Sequence, residues 1–455
     1  DTGRTGLAEG VARRDTGGTW GSDGDYIGNG GTLEIETVLG DDSSQTDRLI
    51  VTGDTSGTTD LRVINVGGAG AQTDEGIRIV EVGGASNGSF RLLGNYQFHG
   101  DAALIQGAYA YRLYQGGTTA PMDGDWDLRS DLRDPVDPVD PTDPTDPTDP
   151  VDPTDPTDPT DPVDPTEPEP PVIPIFQPGA PIYEVYGALL QSANRMETLR
   201  QRVGNRYWAG TAGGAASADE RRSGAWARIE TQHLNVDPDR STTGAAYRAN
   251  SWRLQFGHDW LIQPGAAGDL VAGLSAHYGR IDGDVTSDFG NGWIETTGYG
   301  VGASLTWYGR DGLYVDGQGR LTWFDSTLGS STTGNRLVSG NHGFGYALGI
   351  EAGKRIALGD NWSATPQAQL TYAAVRYDDF TDPFGAPVSL SKGKDLDLRL
   401  GLSLEYGHSW TGAGNDTRNL HVYGIGNLHV GLRPDSRTRL ADVELQTRPD
   451  RLWGS

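Results

Sequence analysis

Residues able to do chemistry are sparse in this sequence, and each candidate grouping breaks at a nameable position. The stretch "DGDYIGNGGTLE" sets Asp23, Asp25, Gly28 and Glu34 at places 1, 3, 6 and 12 of a calcium loop. Place 5 is Ile27, which has no ligating atom, and the flanks read as strand rather than helix, so no metal is assigned. "GYGVGASL" has the glycines of a nucleotide loop, but they fall inside an alternating strand with no helix behind them, so no cofactor is assigned either. Eight histidines show neither HExxH spacing nor an i, i+4 pair on a helix. Zero cysteine excludes disulfides, thiolate metal sites and cysteine nucleophiles together. No Ser-His-Asp grouping can be argued, so no catalytic residue is assigned and the chain is read as a non-enzyme.

The charged residues that remain are spaced for position rather than reaction. In "DLDLRLGLSLEYGHSW" the apolar Leu396, Leu398, Leu400, Leu402, Leu404 and Tyr406 alternate with Asp397, Arg399, Gly401, Ser403 and Glu405. Side chains alternate across a strand, so one face is wholly apolar and the other polar. The same pattern places Arg253, Asp316, Arg320, Glu351 and Arg355 opposite apolar and aromatic residues from Trp252 onward, and Arg228 and Glu230 fall in the first such strand. About ten strands of this kind run from 224–234 to 438–449. They are long, at about 10 to 12 residues, against a mode of about 5–6 in soluble sheets. Aromatic residues collect at the ends of their apolar faces, as an interfacial girdle requires. The expectation is a transmembrane antiparallel barrel with its leucines towards outer-membrane lipid. Its interior is lined by Arg228, Glu230, Arg253, Asp316, Arg320, Glu351, Arg355, Asp397, Arg399 and Glu405, with His277, His421 and His429 beside them. Asp397/Arg399 and Glu351/Arg355 are read as ion pairs inside the barrel.

Three other segments precede the barrel. Residues 1–131 are rich in Gly, Thr and Asp with short apolar runs such as "DRLIVTG" and "EGIRIVEVGG", which fit either a sandwich or a β-solenoid; no strict repeat period emerges. Residues 132–180 form a linker in which "DPTDPTDP" repeats; 13 acidic and no basic residues lie between Asp134 and Glu169, half of the chain's net charge of -26. Proline at every third place favours polyproline II, at about 3.1 Å per residue, so a spacer reaching roughly 115 Å is expected. The acidic balance argues against nucleic acid as a partner. Residues 181–210 carry a helical period through Leu189, Ala193, Met196, Leu199 and Val203, predicting one helix over 185–206 with a stop at Gly204. Its other face holds Gln191, Asn194, Arg195, Arg200 and Arg202, which cannot meet lipid but suits a polar lumen. Residues 219–455 are the barrel.

The order of β segment, proline-rich linker, polar-sided helix and barrel resembles the pertactin-like monomeric autotransporters of Gram-negative bacteria. "GAYAYRLYQG" with "DWDLRS" is similar to the end of a pertactin-like passenger, "SANRMETLRQRVGNR" to the pore helix, and "GVGASLTWYGRDGLYVDGQGRLTWF" to successive barrel strands. The resemblance implies an all-β chain: a β-solenoid-like passenger end of autochaperone type, a polyproline linker, a single pore helix and a twelve-stranded outer-membrane barrel. With about ten strands present, the barrel is expected to be incomplete at its C-terminus. It also implies type V secretion, export of the chain's own passenger to the cell surface, adhesion as a role, and help from periplasmic chaperones and the barrel-assembly machinery. A host surface ligand would be bound by the passenger. Because some relatives cleave themselves at an asparagine in the helix, Asn194 is a weak candidate for that role; a hydrogen bond to the lumen is favoured. Phe90, Tyr111 and Trp126 are expected to seal the passenger's end. Competing readings are an outer-membrane diffusion pore with a helical plug, and a soluble multidomain β adhesin.

Overall fold

The apolar runs of the N-terminal third pair in parallel, each with its own counterpart one coil away. In the computed structural model, Thr19–Ser22, Arg48–Val51 and Ile77–Val82 form one parallel ladder. Tyr26–Thr37, Thr55–Asn65 and Ser89–Leu92 form a second. Thr19 pairs with Arg48 and Thr58 with Ser89, offsets of 29 and 31 residues. That unequal coil is a β-solenoid, and its inconstant period explains why no strict repeat is visible in the sequence. The coil packs Ile35, Leu61, Ile77 and Ile79 inward with essentially no exposure. Gly57, at φ +74, stands where a Cβ would overlap the Gly28 carbonyl of the next coil, a place only glycine takes without strain. Beyond Leu92 the pairing turns antiparallel through Tyr96–Phe98, Asp101–Gln106, Tyr109–Gln115 and Trp126–Arg129, which ends the coil.

The structure describes residues 18–22, 24–132, 173–203, 223–238, 240–359, 361–411, 417–432, 436–448 and 452–454. They fall in two units, Asp1–Phe176 and Gln177–Ser455. The described ends of the expected linker, 132–180, are folded. Asp131–Leu132 pairs antiparallel with Ile173–Pro174, and Ile175 and Phe176 are buried in the N-terminal unit. The Asp/Pro-rich segment itself lies outside the described residues, but its two ends meet.

In the C-terminal unit the long alternating segments form wall strands β1 (Gly224–Val236), β2 (Ala246–Gln263), β3 (Gly268–Thr286), β4 (Gly292–Gly309) and β5 (Leu313–Ser330). They continue as β6 (Arg336–Lys354), β7 (Trp362–Tyr377), β8 (Lys394–Thr411), β9 (Thr417–Gly431) and the short β10 (Leu452–Gly454). Each pairs antiparallel with its sequence neighbour in one curled sheet. Outward faces are apolar: Leu400, Leu402 and Leu404 are 47%, 49% and 46% exposed, with Leu396 and Leu398 half-buried between neighbouring strands. On β4 the apolar outward run lies between Tyr299 and Trp307, roughly 26 Å along the strand. Tilted by about 35–45°, that run spans roughly 20 Å of height, close to an apolar band about 25 Å tall. Aromatic pairs link neighbouring strands along both rims, Trp252–Tyr278 and Tyr299–Trp323 on one and Trp362–Tyr406 on the other. No described helix is long and apolar enough to cross a membrane, which says nothing about a crossing by strands.

Two expectations need correction here. The tenth expected strand, 438–449, is not part of the wall. Ser436–Leu440 and Val443–Arg448 form a hairpin turning at Ala441, φ 52, and the tenth wall strand begins only at Leu452. The hairpin joins a separate five-stranded sheet with Arg240–Ser241, Phe380–Thr381 and Pro387–Lys392, all from connections at one end of the wall. Its Leu440, Leu445 and Val388 point inward and are fully buried, the soluble arrangement. The single helix is instead two: α1 (Ala180–Ala193) and α2 (Leu199–Val203). Pro181 suits the first turn of α1, where its missing N–H removes nothing. Gly204, the expected stop, lies outside the described residues.

Candidate functional site: the broken helix and its charged wall

The break between the helices is built from short-range hydrogen bonds. Asn194 caps α1 with its N–H on the Leu190 and Gln191 carbonyls. The chain then restarts at Thr198, whose hydroxyl accepts the Gln201 N–H at 3.1 Å while the Gln201 side chain accepts the Thr198 N–H at 2.9 Å. This reciprocal capping box, "TLRQ", was legible in the sequence but was masked by the unbroken apolar period around it.

Small wall residues make room for α1. A Cβ on Gly292 of β4 would come within 2.6 Å of Ile182, and one on Gly345 of β6 within 3.0 Å of Asn194. Asn194 donates to the Tyr346 and Ala374 carbonyls at 3.0 and 3.3 Å, a structural use of the side chain considered for self-cleavage. Gln191 is half-buried on α1. At the mouth, Glu184 accepts from Ser241, from both N–H and hydroxyl of Thr243 and from the Thr242 N–H, at 2.6–3.1 Å. From the opposite side Asp382, on the connection between β7 and β8, accepts from Gln177 at 2.6 Å and Tyr183 at 3.1 Å. Burial pushes the Asp382 carboxyl above its ordinary range.

Below the break the segment Glu197–Arg202 meets charges from all round the wall. Glu197 pairs with Arg228 of β1 at 3.0 Å, with Arg253 of β2 at 2.6 Å and with Arg320 of β5. Arg202 pairs with Asp316 of β5 at 2.6 Å and donates to Ser304 and Thr306 of β4. Arg200 pairs with Glu405 of β8 and lies over the Tyr423 ring of β9. The Leu199 N–H reaches Glu351 of β6 at 3.0 Å. A segment this short can touch strands from β1 to β9 only if the sheet curls around it, so this contact set locates the helix in the lumen.

Asp316, Arg320, Glu351, Arg399 and Glu405 are buried on the side that meets this segment, with partners other than those expected. Arg399 pairs with Glu351 at 3.0 Å, Asp397 with His429 at 3.1 Å, and Arg355 with Glu405 at 3.8 Å. The pairs expected within one strand are replaced by cross-strand ones. Residues two apart on one face of a strand sit further apart than directly paired neighbours, about 4.5–5.5 Å away. Glu230 bridges Arg228 and Arg253. His277 is buried against Thr322, while the His421 side chain lies outside the described residues. The Arg195 side chain is exposed and its carbonyl accepts from Arg320. In the N-terminal unit Phe90 packs on Tyr26 and edge-on to Trp126. The Tyr111 hydroxyl instead ties down the turns at Gly40 and Ala71. Glu197, Glu184 and Asp382 were not singled out in the sequence. The signal for Glu197 was there: it is the one carboxylate among Arg195, Arg200, Arg202 and Arg206.

Comparison with known proteins follows the same division. The family described as Autotransporter beta-domain matches residues 225–453, and Autochaperone Domain Type 1 matches residues 13–113. The chain is 44% identical over 436 residues to the Adhesin BmaC autotransporter of Brucella suis, covering 95% of this chain and 12% of that protein. It is 31% identical to the Probable autotransporter YfaL of Escherichia coli over 89% of this chain and 30% of that one. Against the Autotransporter adhesin AIDA-I of Escherichia coli it is 24% identical over 83% of this chain and 26% of that one. The crystal structure of the AIDA-I transport unit aligns at a TM-score of 0.46 and 14% identity, covering 61% of this chain and 86% of that one.

Proposed function

This chain belongs to the autotransporter family, and from that premise we propose that its C-terminal unit is an outer-membrane translocator that exports and displays its own N-terminal unit. The observation that carries the reading is the inverted wall: apolar residues and aromatic rims outside, paired charges and a helix inside. Backbone groups in lipid must be paired within the protein, which a curled antiparallel sheet achieves strand by strand. Lipid is thus the proposed solvent of the outer face, and the outer membrane of a Gram-negative bacterium its location. Adhesion, through a surface ligand, is the role proposed for the displayed part, after the adhesins it resembles; chaperone and assembly-machinery partners are proposed on the same ground. The solenoid unit is proposed to nucleate folding outside the cell.

The test is expression in a Gram-negative host, with gel mobility of outer-membrane samples compared before and after boiling, and before and after protease treatment of intact cells. Export predicts a heat-shifted, protease-protected C-terminal fragment and loss of the N-terminal unit. A heat-shifted chain whose N-terminal unit survives protease would leave a pore without display, and a water-soluble product would overturn the membrane reading altogether.

A further inference from the structure

The charges of the wall and of the helical segment match in one alignment. Arg228, Arg253 and Arg320, from three different strands, converge on the Glu197 carboxylate, and the wall supplies a single further carboxylate, Glu230, to that cluster. Without Glu197 three guanidiniums face one carboxylate. Gln318 and Gln369 each donate to the Glu197 carbonyl at 3.0 Å, so backbone and side chain of this residue are held together. The acidic wall positions, Asp316 and Glu405, take Arg202 and Arg200. Sliding the segment by three or five places would bring Arg200 or Arg202 onto the arginine cluster. Sliding it the other way would bring Asn194, which carries no charge. In a low-dielectric lumen like charges repel strongly and unpaired ones are costly, so neighbouring registers are penalised.

We propose that Glu197, docking between Arg228, Arg253 and Arg320, is the positioning residue that sets where the chain comes to rest in the lumen. The inference rests on the translocator reading above, in which the chain moves through the wall before it stops. α1 adds close contacts of its own, Ile182 on Gly292 and Asn194 on the Tyr346 and Ala374 carbonyls, whereas the charge pattern around Glu197 repeats nowhere in the segment. The charge match therefore adds like-charge repulsion to any shift that carries an arginine of the segment onto the cluster.

The chain contains no cysteine, so two introduced thiols report on register without background. In the resting alignment Asn194→Cys and Gly345→Cys lie within disulfide reach, since a Cβ at 345 stands 3.0 Å from Asn194 Cγ. Asn194→Cys with Gly349→Cys reports a shifted alignment. Both pairs are placed in the full chain and oxidised in isolated outer membranes. With Glu197 intact the 194–345 disulfide forms. With Glu197→Gln its yield falls by about tenfold, because the arginine cluster loses its partner, and the 194–349 disulfide gains. Glu197→Arg with Arg253→Glu and Arg320→Glu restores the resting disulfide. A merely structural Glu197 would lower the barrel's heat resistance without changing which pair forms. An unchanged 194–345 yield in Glu197→Gln overturns the proposal. If that variant does not assemble, the charge-reversed variant decides: recovery of the disulfide supports the proposal and its absence overturns it. Protease treatment of the same cells reads export separately, so a failure of display is distinguishable from a failure of register.

Discussion

The two units obey opposite rules with the same strand pattern. In the N-terminal solenoid, Leu61 and Ile79 point inward with no exposure, while Arg62 and Arg91 sit at the surface in exposed pairs with Glu34 and Asp60. In the C-terminal wall, Leu402 is 49% exposed and its strand-mate Arg399 is 2% exposed. One unit turns its apolar faces inward, and the other turns them outward and encloses its charges. Alternation reveals that a strand has two faces; the direction of burial comes from length, aromatic rims and what fills the space inside. The surface pairs of the solenoid contribute little, whereas the enclosed pairs of the wall are each half of a match that cannot be left open.

The contrast breaks most visibly under a single substitution made in both units. Leu61→Ala removes a buried side chain and should destabilise the solenoid by about 2–5 kcal/mol, seen as faster hydrogen exchange across Thr55–Asn65. Leu402→Ala should cost far less, since its cross-strand neighbours are Pro366 and Gly426 and it leaves no cavity. Leu402→Arg should instead cost about 2–4 kcal/mol if the residue faces the bilayer's middle, bringing this position level with the buried one. Urea titration of the chain refolded in lipid vesicles measures the wall changes. Equal losses for Leu61→Ala and Leu402→Ala would remove the distinction between the units.

What the sequence disclosed follows from the range of each signal. Period-two alternation is local, so nine wall strands were readable, and so was the inward side of Asp316, Arg320, Arg399 and Glu405. The hairpin at 436–448 has the same alternation, and only the tertiary placement of Leu440 and Leu445 shows that it belongs to a separate sheet. Partners of the charges are cross-strand or come from the helix, hence Arg399 with Glu351 and Glu197 with three arginines could not be read from neighbours in the chain. Nor could the parallel coil, whose pairings span 29 and 31 residues. The helix break was hidden because Leu199 and Val203 keep the apolar period across a gap that contains neither Gly nor Pro.

A smaller effect distinguishes how the two units treat a buried carboxylate. Glu197 is met by three guanidiniums, but Asp127 of the solenoid shares Arg78 with Asp123 and Asp125. Burial outweighs that shared cation and pushes the Asp127 carboxyl up to about 6. An acid whose folded value is raised contributes stability that is complete below its unfolded value, near 3.9, and is lost as pH rises through about 6. The solenoid should therefore be less stable at pH 7 than at pH 5 by on the order of 1 kcal/mol from this group. Asp127→Asn should flatten that slope, as followed by hydrogen exchange at Trp126–Arg129 in the full chain. A slope unchanged by the substitution would assign the pH dependence to other carboxylates.

The smallest change sharpens the comparison at the level of the chain rather than the side chain. Wall strands depend on their connections, since those between β1 and β2, β7 and β8, and β9 and β10 build the sheet that packs on α1. Among the described residues, the solenoid's longest connection is closed at its ends, through Asp131–Leu132 paired with Ile173–Pro174 and the Ile175 N–H on the Ser130 carbonyl at 2.7 Å. Replacing residues 134–171 by a short turn keeps those pairings and removes loop-closure entropy, about 0.6 kcal/mol for each halving of length. The expected outcome is a solenoid more stable by about 1–2 kcal/mol, with the heat shift of the barrel unchanged. Shortening 378–393 instead should loosen α1, because Asp382, Val388 and Leu390 all lie in that connection. A destabilised solenoid in the first variant would mean that the Asp/Pro repeats contribute contacts of their own, and that the strand pair at their base is a consequence of those contacts rather than what closes the loop.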